Sequence, residues 1–511
     1  MSSTSQENNK RIAKNTILLY GRLLLTMAIG LFTSRVILNT LGISDYGINN
    51  VVAGFVSMFS LFTGSLGTAI SRFITVGLGK GDMEKLRVIF STSVTIMVVM
   101  SVIVLIIADP VSIWFLNNKM NIPEGRMYAA NWVLQFSLLS FVVNLISVPY
   151  NAMIIAHEKM GVYAYMSIFD VTMKLIIVYM LYISPFDKLI TYSFLFLCVG
   201  ILDRIIYGIY CSRHFEEAHY KFVFDKSLLK DMGGFAGWNL FGSGAYLFNT
   251  QGVNIVTNKY FGVTANAARG VANQVEGIVK QFVTNFTTAI NPQIMKSYAK
   301  GEMDYLYSLI CRGAKFSYML MLLFVVPFMF ETETIMRLWL KNYPPEAPLF
   351  LRLSMIGTMF DMLGNSTAMA AWATGKIKRY YEYVATIGCL VFPISWALFA
   401  LGCPAYTSYI VFMGIYFIII FVKVYLIKDL VKFNPRMYYK EVLLRIFPTT
   451  IIAFILPAII YFSMSASLIR TGVVVLASGI STVASIYYIG MTKHEREKAL
   501  GVVLKKLKIH G

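Results

Sequence analysis

The chain has 511 residues, of which 57% are hydrophobic and only 14% are charged, and its formal net charge is +19. A water-soluble chain of this length carries far more charged surface, so the composition excludes a soluble protein and predicts an integral membrane protein. The basic residues are spread over many short loops, which argues against a nucleic-acid partner. Continuous apolar runs favour transmembrane helices over a β-barrel, whose strands would alternate over about ten residues.

Fourteen apolar stretches are each predicted to form a membrane-crossing helix in an all-α fold. The termini and the even-numbered loops together hold 30 basic residues, whereas the opposite loops hold seven. This asymmetry predicts that both termini face the cytoplasm. The predicted spans are 16–39, 47–70, 88–108, 128–150, 163–183, 189–210, 233–256, 267–290, 313–330, 348–372, 381–401, 406–427, 443–465 and 470–490.

A repeat with an offset of 220 residues runs through the chain. Its matched segments are 41–43 with 261–263, 68–70 with 288–290, and 80–83 with 300–303. Since each half has an even number of spans, the halves are predicted to be parallel repeats, pseudo-symmetric six-helix lobes of the kind found in secondary transporters. The predicted domains are an N-lobe at 1–210, a cytoplasmic linker at 211–232, a C-lobe at 233–427, two appended helices at 428–490 and a basic cytoplasmic tail at 491–511.

Catalytic and metal-binding signals are missing from the sequence. There is no Walker loop, His-Glu-x-x-His or G-x-S-x-G motif, and the five cysteines show no paired spacing. The sequence therefore predicts a carrier rather than an enzyme, with no metal site and no disulfide framework.

Span eight carries a polar stripe whose members recur at steps of three and four, which places them on one face of a helix. The matching positions on span two are mostly small and include Asn49 and Ser60. A polar face on span eight opposite a face of small side chains on span two predicts a water-filled cavity between the lobes. The alternative is that Glu276 only neutralises Lys280 inside a packed bundle. The stripe comprises Arg269, Asn273, Glu276, Lys280, Thr284, Thr287 and Asn291.

Other charged residues at membrane depth each require a reason, because burying them in lipid is costly. Asp170 and Lys174 lie four residues apart, so they either form a structural ion pair or face a cavity. Arg22 lies deep in span one and is a ligand candidate, whereas Arg204 either snorkels or faces the cavity. Lys423 lies near a helix end and is predicted to snorkel.

Several segments resemble bacterial polysaccharide flippases of the multidrug/oligosaccharidyl-lipid/polysaccharide (MOP) exporter superfamily. They are Ser34–Ile48, the small-residue turn at Gly64–Arg72, Lys80-Gly81-Asp82, and Asn151-Ala152-Met153 followed by Glu158-Lys159. The resemblance covers roughly 10–430, and two spans exceed the family's usual twelve. It implies a V-shaped MATE-like bundle that moves an undecaprenyl-pyrophosphate-linked oligosaccharide outward across the bacterial inner membrane, for surface polysaccharides such as O-antigen.

The resemblance also implies roles for individual residues. The expected headgroup contacts are Arg22, Arg269 and Lys280, with Lys174 and Arg204 as further candidates. No cofactor is expected. Glu276 and Asp170 are the candidates for coupling transport to H⁺ or Na⁺. The expected polar lining of the cavity consists of Asn49, Ser60, Asn239, Asn273, Glu276, Thr284 and Thr287.

Two other functions remain open. A cation-coupled multidrug exporter of the same superfamily predicts an acidic cavity, whereas the charged residues within these spans are mostly basic. A non-transporting assembly partner of a glycan polymerase is the third reading. The expected partners are a lipid-linked oligosaccharide, membrane lipids and polymerase or glycosyltransferase machinery. Nucleic acid is not an expected partner.

Overall fold

The computed structural model of the chain describes residues 15–30, single residues and pairs between 32 and 56, and then 59–119, 122, 125–223, 225–340 and 343–497. Within these residues all regular secondary structure is helical. Most of the segment 34–48, which carries part of the family resemblance, and the tail from 498 onward lie outside the described residues.

In the part of the chain that the structure describes, seven helices precede the long central helix. They are α1 (Asn15–Gly30), α2 (Ser60–Lys80), α3 (Met83–Ile103), α4 (Asp109–Lys119), α5 (Met127–Ala156), α6 (Met160–Ile183) and α7 (Lys188–His214). A π-helical turn at Val104–Ala108 joins α3 to α4 into one apolar segment.

Ten helices make up the rest of the described chain. They are α8 (Lys226–Lys300), α9 (Met303–Leu340), α10 (Ala347–Leu363), α11 (Asn365–Thr374), α12 (Lys378–Cys389), α13 (Val391–Ala400), α14 (Thr407–Val431), α15 (Pro435–Tyr438), α16 (Leu444–Ser463) and α17 (Leu468–Ser485).

In the described part of the chain, nine helical segments are long and apolar enough to cross a membrane. They coincide with predicted spans three to six, nine and eleven to fourteen. The other five predicted spans overlap α1, α2, the two arms of α8, and α10 with α11. More than half of 31–39 in span one and of 47–58 in span two lies outside the described residues. The prediction of an all-helical membrane protein is confirmed.

Gly262 interrupts α8 with a backbone conformation that is open to glycine and strained for other residues (φ 77°, ψ −171°). The interruption separates a first arm, which carries predicted span seven, from a second arm, which carries predicted span eight. Arg269 on the second arm donates from Nε to Asn254 Oδ1 on the first arm at 2.6 Å. The two arms therefore approach each other on either side of the glycine.

The 220-residue repeat is visible in the helix boundaries. Helices α2 and α8 end at Lys80 and Lys300, and α3 and α9 begin at Met83 and Met303. Gly81 and Gly301 close the earlier helices in the left-handed conformation, at φ 73° and 76°. Their N–H groups donate to carbonyls at matching positions, residues 77 and 78 in one case and 297 and 298 in the other.

The chain divides into two compact units. Unit 1 comprises Met1–Ser243 and Met295–Glu302, and unit 2 comprises Gly244–Ile294 and Met303–Gly511. The predicted linker 211–232 packs within unit 1, where Glu217 accepts a 2.6 Å hydrogen bond from His157. The predicted appended helices form α16 and α17 of unit 2.

In unit 1, Arg126 joins two carboxylates, Asp45 and Asp187, on the side predicted to face away from the cytoplasm. It binds Asp45 through Nε at 2.9 Å and also pairs with Asp187. Partial burial disfavours ionisation of Asp187, but hydrogen bonds from Arg126 and from backbone N–H groups outweigh it and lower the pKa of this carboxyl. Asp187 also caps α7.

In unit 2, α16 and α17 are held against α9 by buried polar contacts. The Glu331 carboxylate, 1% exposed, accepts from Arg470 Nε and from Thr471 Oγ1, each at 2.8 Å. Toward the other end of α9, the ammonium of Lys315 lies 2.6 Å from the carboxylate of Glu495 in the described start of the C-terminal tail. The pair of helices absent from the repeat is therefore an integral part of unit 2.

Replacing Glu331 with alanine is expected to lower the free energy of unfolding by about 3 kcal/mol or more, because it leaves the Arg470 guanidinium buried without its carboxylate. Denaturation of the purified protein in detergent measures this loss. The matched control is Glu333→Ala, since the Glu333 side chain is 62% exposed and lies 3.7 Å from Arg352. Its expected effect is within about 0.5 kcal/mol. Equal losses in the two variants would contradict a structural role for the Glu331 contacts.

Candidate functional site

A charged cavity of about 250 Å³ lies inside unit 2. Its walls come from both arms of α8 and from α10, α13 and α14. Four members of the predicted stripe, Arg269, Asn273, Glu276 and Lys280, line it. The other polar lining residues are Tyr246, Asn249, Thr250, Ser354, Ser408 and Tyr409.

Arg269 is held in place by three different groups. Besides its bond to Asn254, its Nη1 donates to Ser408 Oγ at 3.3 Å, and its guanidinium carbon lies 5.1 Å from the centre of the Tyr409 ring. The residue is 8% exposed. These three partners are neutral, so none of them supplies a counter-charge to the guanidinium beside the cavity.

Asp361 on α10 lies between two lysines. Its Oδ2 is 3.2 Å from the ammonium of Lys280, and its Oδ1 is 3.7 Å from the ammonium of Lys423 on α14. A Cβ at Gly364 would overlap the Lys423 side chain, so the glycine provides the space for that lysine. One carboxylate therefore serves two ammonium groups, which leaves an excess of positive charge.

Two interpretations of the charged residues need correction. The prediction that Lys423 snorkels is wrong, because its side chain is only 8% exposed and turns to Asp361 instead. Glu276 does not hold Lys280 as its neutralising partner either: its Oε1 accepts from Thr358 at 2.6 Å, and Lys280 pairs with Asp361.

Five of the seven residues of the predicted lining are not among those that line this cavity, and two of the five, Asn49 and Ser60, lie in unit 1. Thr284 and Thr287 donate to the backbone of their own helix, at Lys280 O and Thr284 O, each at 2.9 Å. Asn239 is buried in the part of α8 that belongs to unit 1. The stripe therefore contributes to the cavity only through its first four members.

Unit 1 contains a cavity of its own, of about 430 Å³, lined by α1, α5, α6 and α7. Arg22, Asp170 and Lys174 line it, as does Asp203. Lys174 lies 2.7 Å from Asp170, so these two residues both pair and face the cavity. Arg22 donates from Nη1 to Ser167 Oγ at 3.2 Å and lies 4.8 Å from the centre of the Tyr163 ring.

A neighbouring cavity of about 340 Å³ in unit 1 is lined by the predicted residues Asn49 and Ser60. It shares Ser140, Asn144 and Phe196 with the first cavity. The two cavities therefore adjoin, and together we call them the unit 1 groove.

Arg204 lies apart from the residues that line these cavities. Its guanidinium carbon is 3.8 Å from the centre of the Tyr150 ring, at cation–π distance. The arginine packs on a neighbouring helix within unit 1, and its predicted contact with a headgroup stays a prediction.

The two units differ in charge balance. Three basic residues of unit 2, Arg269, Lys280 and Lys423, stand against two acidic ones, Glu276 and Asp361. In the unit 1 groove, Arg22 and Lys174 are balanced by Asp170 and Asp203. The unit 2 cavity therefore suits an anion, and the unit 1 groove suits a polar ligand without net charge.

Sequence reasoning missed several of these residues. Asp361 is an acidic residue inside predicted span ten, and its position at membrane depth was a sufficient signal. Ser408 and Asn254 gave no signal, because only the fold brings them to Arg269. Among the residues the structure describes, no group of three or more His, Cys, Asp or Glu side chains is placed to hold a metal ion.

Solved structures with the same fold are membrane transporters. The chain superimposes on a MATE transporter in complex with MaD3S with a TM-score of 0.71 at 13% identity, covering 84% of this chain and 100% of the other. It superimposes on an outward-facing multidrug resistance MATE transporter of the MOP superfamily with a TM-score of 0.70 at 12% identity, covering 84% and 99%. A third is a Pyrococcus furiosus MOP transporter described by the reverse polarity of its binding pocket, with a TM-score of 0.64 at 13% identity, covering 83% and 96%.

The chain thus has the fold of these membrane transporters, with a charged cavity in each unit. The chain belongs to the family described as Polysaccharide biosynthesis protein, whose profile matches residues 12–297, more than half of the chain. A curated relative, the uncharacterized membrane protein EpsK of Bacillus subtilis (strain 168), is 19% identical over 308 residues. The match covers 59% of this chain, and the chain spans about three fifths of that relative's length.

Proposed function

We propose that the protein is a flippase that moves an undecaprenyl-pyrophosphate-linked oligosaccharide from the cytoplasmic to the outer leaflet of the bacterial inner membrane. The transport would proceed by alternating access and would supply surface polysaccharide biosynthesis. The observation that carries the proposal is the basic unit 2 cavity, in which Arg269 and Lys280 face open space. Family membership supports the same assignment.

A pyrophosphate is the part of this cargo that suits the cavity best. It is a dense anion, and guanidinium and ammonium groups in a partly dehydrated site bind such oxygens with charge-assisted hydrogen bonds. Asp361 balances only one of its two lysines, so the site retains positive charge before the cargo arrives. Glu276 at the cavity and Asp170 in the unit 1 groove are the proposed positions for coupling to H⁺ or Na⁺.

Export of cationic drugs is the alternative from the same superfamily. It requires an acidic site, whereas the unit 2 cavity has more basic than acidic groups. The Pyrococcus furiosus transporter is described as suggesting a different function through the reverse polarity of its binding pocket. By the same reasoning, the charge of the unit 2 cavity favours an anionic cargo. A third candidate, a non-transporting assembly partner of a polymerase or glycosyltransferase, leaves these cavity charges without a role.

Deletion of the gene in the source organism tests the proposal. The expected result is loss of the surface glycan, accumulation of lipid-linked oligosaccharide that a membrane-impermeant probe cannot reach from outside, and unchanged susceptibility to cationic drugs. Normal glycan with increased drug susceptibility would support drug export instead. Assembly function is excluded by a cavity variant that still co-purifies with its biosynthetic partners but does not translocate the lipid.

A further inference from the structure

We infer that the unit 1 groove is a saccharide-binding site, which takes uncharged sugar residues of the cargo. This inference rests on the proposed function and adds to it the chemistry by which the glycan itself is recognised.

The first observation is a neutral polar stripe along α5. Its members recur at steps of three, four, three and four, so they lie on one face of the helix, and each lines the groove. Serine hydroxyls and asparagine carboxamides donate and accept hydrogen bonds without carrying charge, as sugar hydroxyls require. The stripe consists of Ser137, Ser140, Asn144, Ser147 and Asn151.

The second observation is that aromatic rings line the same groove as these polar groups. Phe196 of α7 lines both cavities, with Tyr192 in one of them and Tyr163 and Tyr207 in the other. The negative face of an aromatic ring attracts the weakly positive C–H face of a pyranose ring, and a tyrosine adds a hydroxyl at the edge. A groove that offers aromatic rings beside uncharged donors and acceptors matches both the C–H face and the hydroxyl groups of a sugar.

The third observation concerns acceptors that the described residues leave unsatisfied. Asn151 Oδ1 and Asp203 Oδ1 are buried atoms that receive no hydrogen bond from them. Both residues line the groove. Because a buried acceptor without a donor is costly, these atoms indicate a ligand or solvent that brings O–H groups.

Charge and size agree with a saccharide. The acidic and basic residues of the groove balance, and Lys174 is committed to Asp170 at 2.7 Å. A pyrophosphate would have to compete with that pair, whereas an uncharged sugar would not. The larger of the two cavities, at about 430 Å³, lies within the ~300–1,000 Å³ typical of small-molecule pockets.

The test measures binding of two lipids to the full-length protein in lipid nanodiscs. One probe is undecaprenyl pyrophosphate, and the other is lipid-linked oligosaccharide extracted from a source strain that lacks this gene. The test variant is Asn144→Ala/Asn151→Ala. The matched control on the same helix is Asn131→Ala, whose side chain bonds Asn117 at 3.2 Å near the outer end of α5.

Wild-type protein is expected to bind the oligosaccharide lipid more tightly than undecaprenyl pyrophosphate. The double variant should lose about tenfold in affinity for the oligosaccharide lipid through its missing hydrogen bonds and keep its affinity for the bare lipid. The control should change neither. Ser140→Ala/Asn144→Ala serves as a second variant if the first has a lowered unfolding temperature.

Three outcomes would overturn the inference. If the α5 variants weaken the binding of both lipids equally, or of neither, the groove does not bind the sugar. The proposed function would survive that result. If the wild type binds the two lipids with equal affinity, the same conclusion holds. If the wild type binds neither, the flippase assignment fails together with the inference.

Discussion

Replacing Asp361 with alanine is expected to lower the free energy of unfolding by about 3–5 kcal/mol, among the largest effects of any single substitution in this chain. The carboxylate is the shared counter-ion of Lys280 and Lys423 at 3.2 and 3.7 Å. Its loss leaves two ammonium groups on α8 and α14 facing each other at membrane depth without compensation. Denaturation of the purified variant in detergent measures the loss.

Two comparisons show whether charge is the cause. Asp429→Ala removes a carboxylate of the same unit that is 46% exposed and lies 3.5 Å from Arg379, and it should change stability by no more than about 0.5 kcal/mol. The triple variant Asp361→Leu/Lys280→Met/Lys423→Met removes all three charges and should recover most of the lost stability. If Asp361→Ala and Asp429→Ala prove equally stable, Asp361 is not the counter-ion that the geometry indicates.

The double variant Arg269→Ala/Lys280→Ala is expected to abolish surface glycan while the amount of protein in the membrane stays normal. Each lost charge-assisted hydrogen bond contributes about 1.5–3 kcal/mol, so two together weaken binding of a pyrophosphate by more than about a hundredfold. Folding should tolerate the change, because Lys423 still compensates Asp361 and the partners of Arg269 line or adjoin an open cavity. Glycan staining and immunoblotting measure the two quantities.

A matched pair of basic residues controls for the loss of positive charge. Lys378 and Arg379 belong to the same unit, are 68% and 56% exposed and pair only loosely with acidic neighbours. Their double alanine variant should leave the glycan at its normal level. Normal glycan in Arg269→Ala/Lys280→Ala would rule out a headgroup role for these two residues.

Much of the architecture could be predicted from the sequence because a bilayer restricts what a chain can do. Every backbone polar group must be satisfied inside the segment, so long apolar stretches predict helices. The repeat was equally readable, and at Gly81 and Gly301 the structure reproduces its 220-residue offset in the turns themselves. The polar stripe on α8 was found for the same reason, since helical periodicity alone decides which side chains share a face.

The partners of these side chains could not be predicted in the same way. Glu276 and Lys280 are four residues apart, yet each pairs with a side chain of α10. Lys423 lies near a helix end, as a snorkelling residue does, but its side chain is buried. The polar residues of the α5 stripe also recur with helical periodicity. Serines and asparagines occur in ordinary helix packing, however, so only the cavity in the structure shows that these residues line a groove.

The sequence alone thus determined the all-helical membrane class, the helices and the repeat, because these follow from local composition and periodicity, while short motifs carried the resemblance to the family. The tertiary structure decided how the charges pair, that each unit has a cavity of its own, and that one of them is basic and the other balanced. Those properties depend on distances of a few ångströms between helices far apart in the chain, and the electrostatic energy between charged groups varies steeply over such distances.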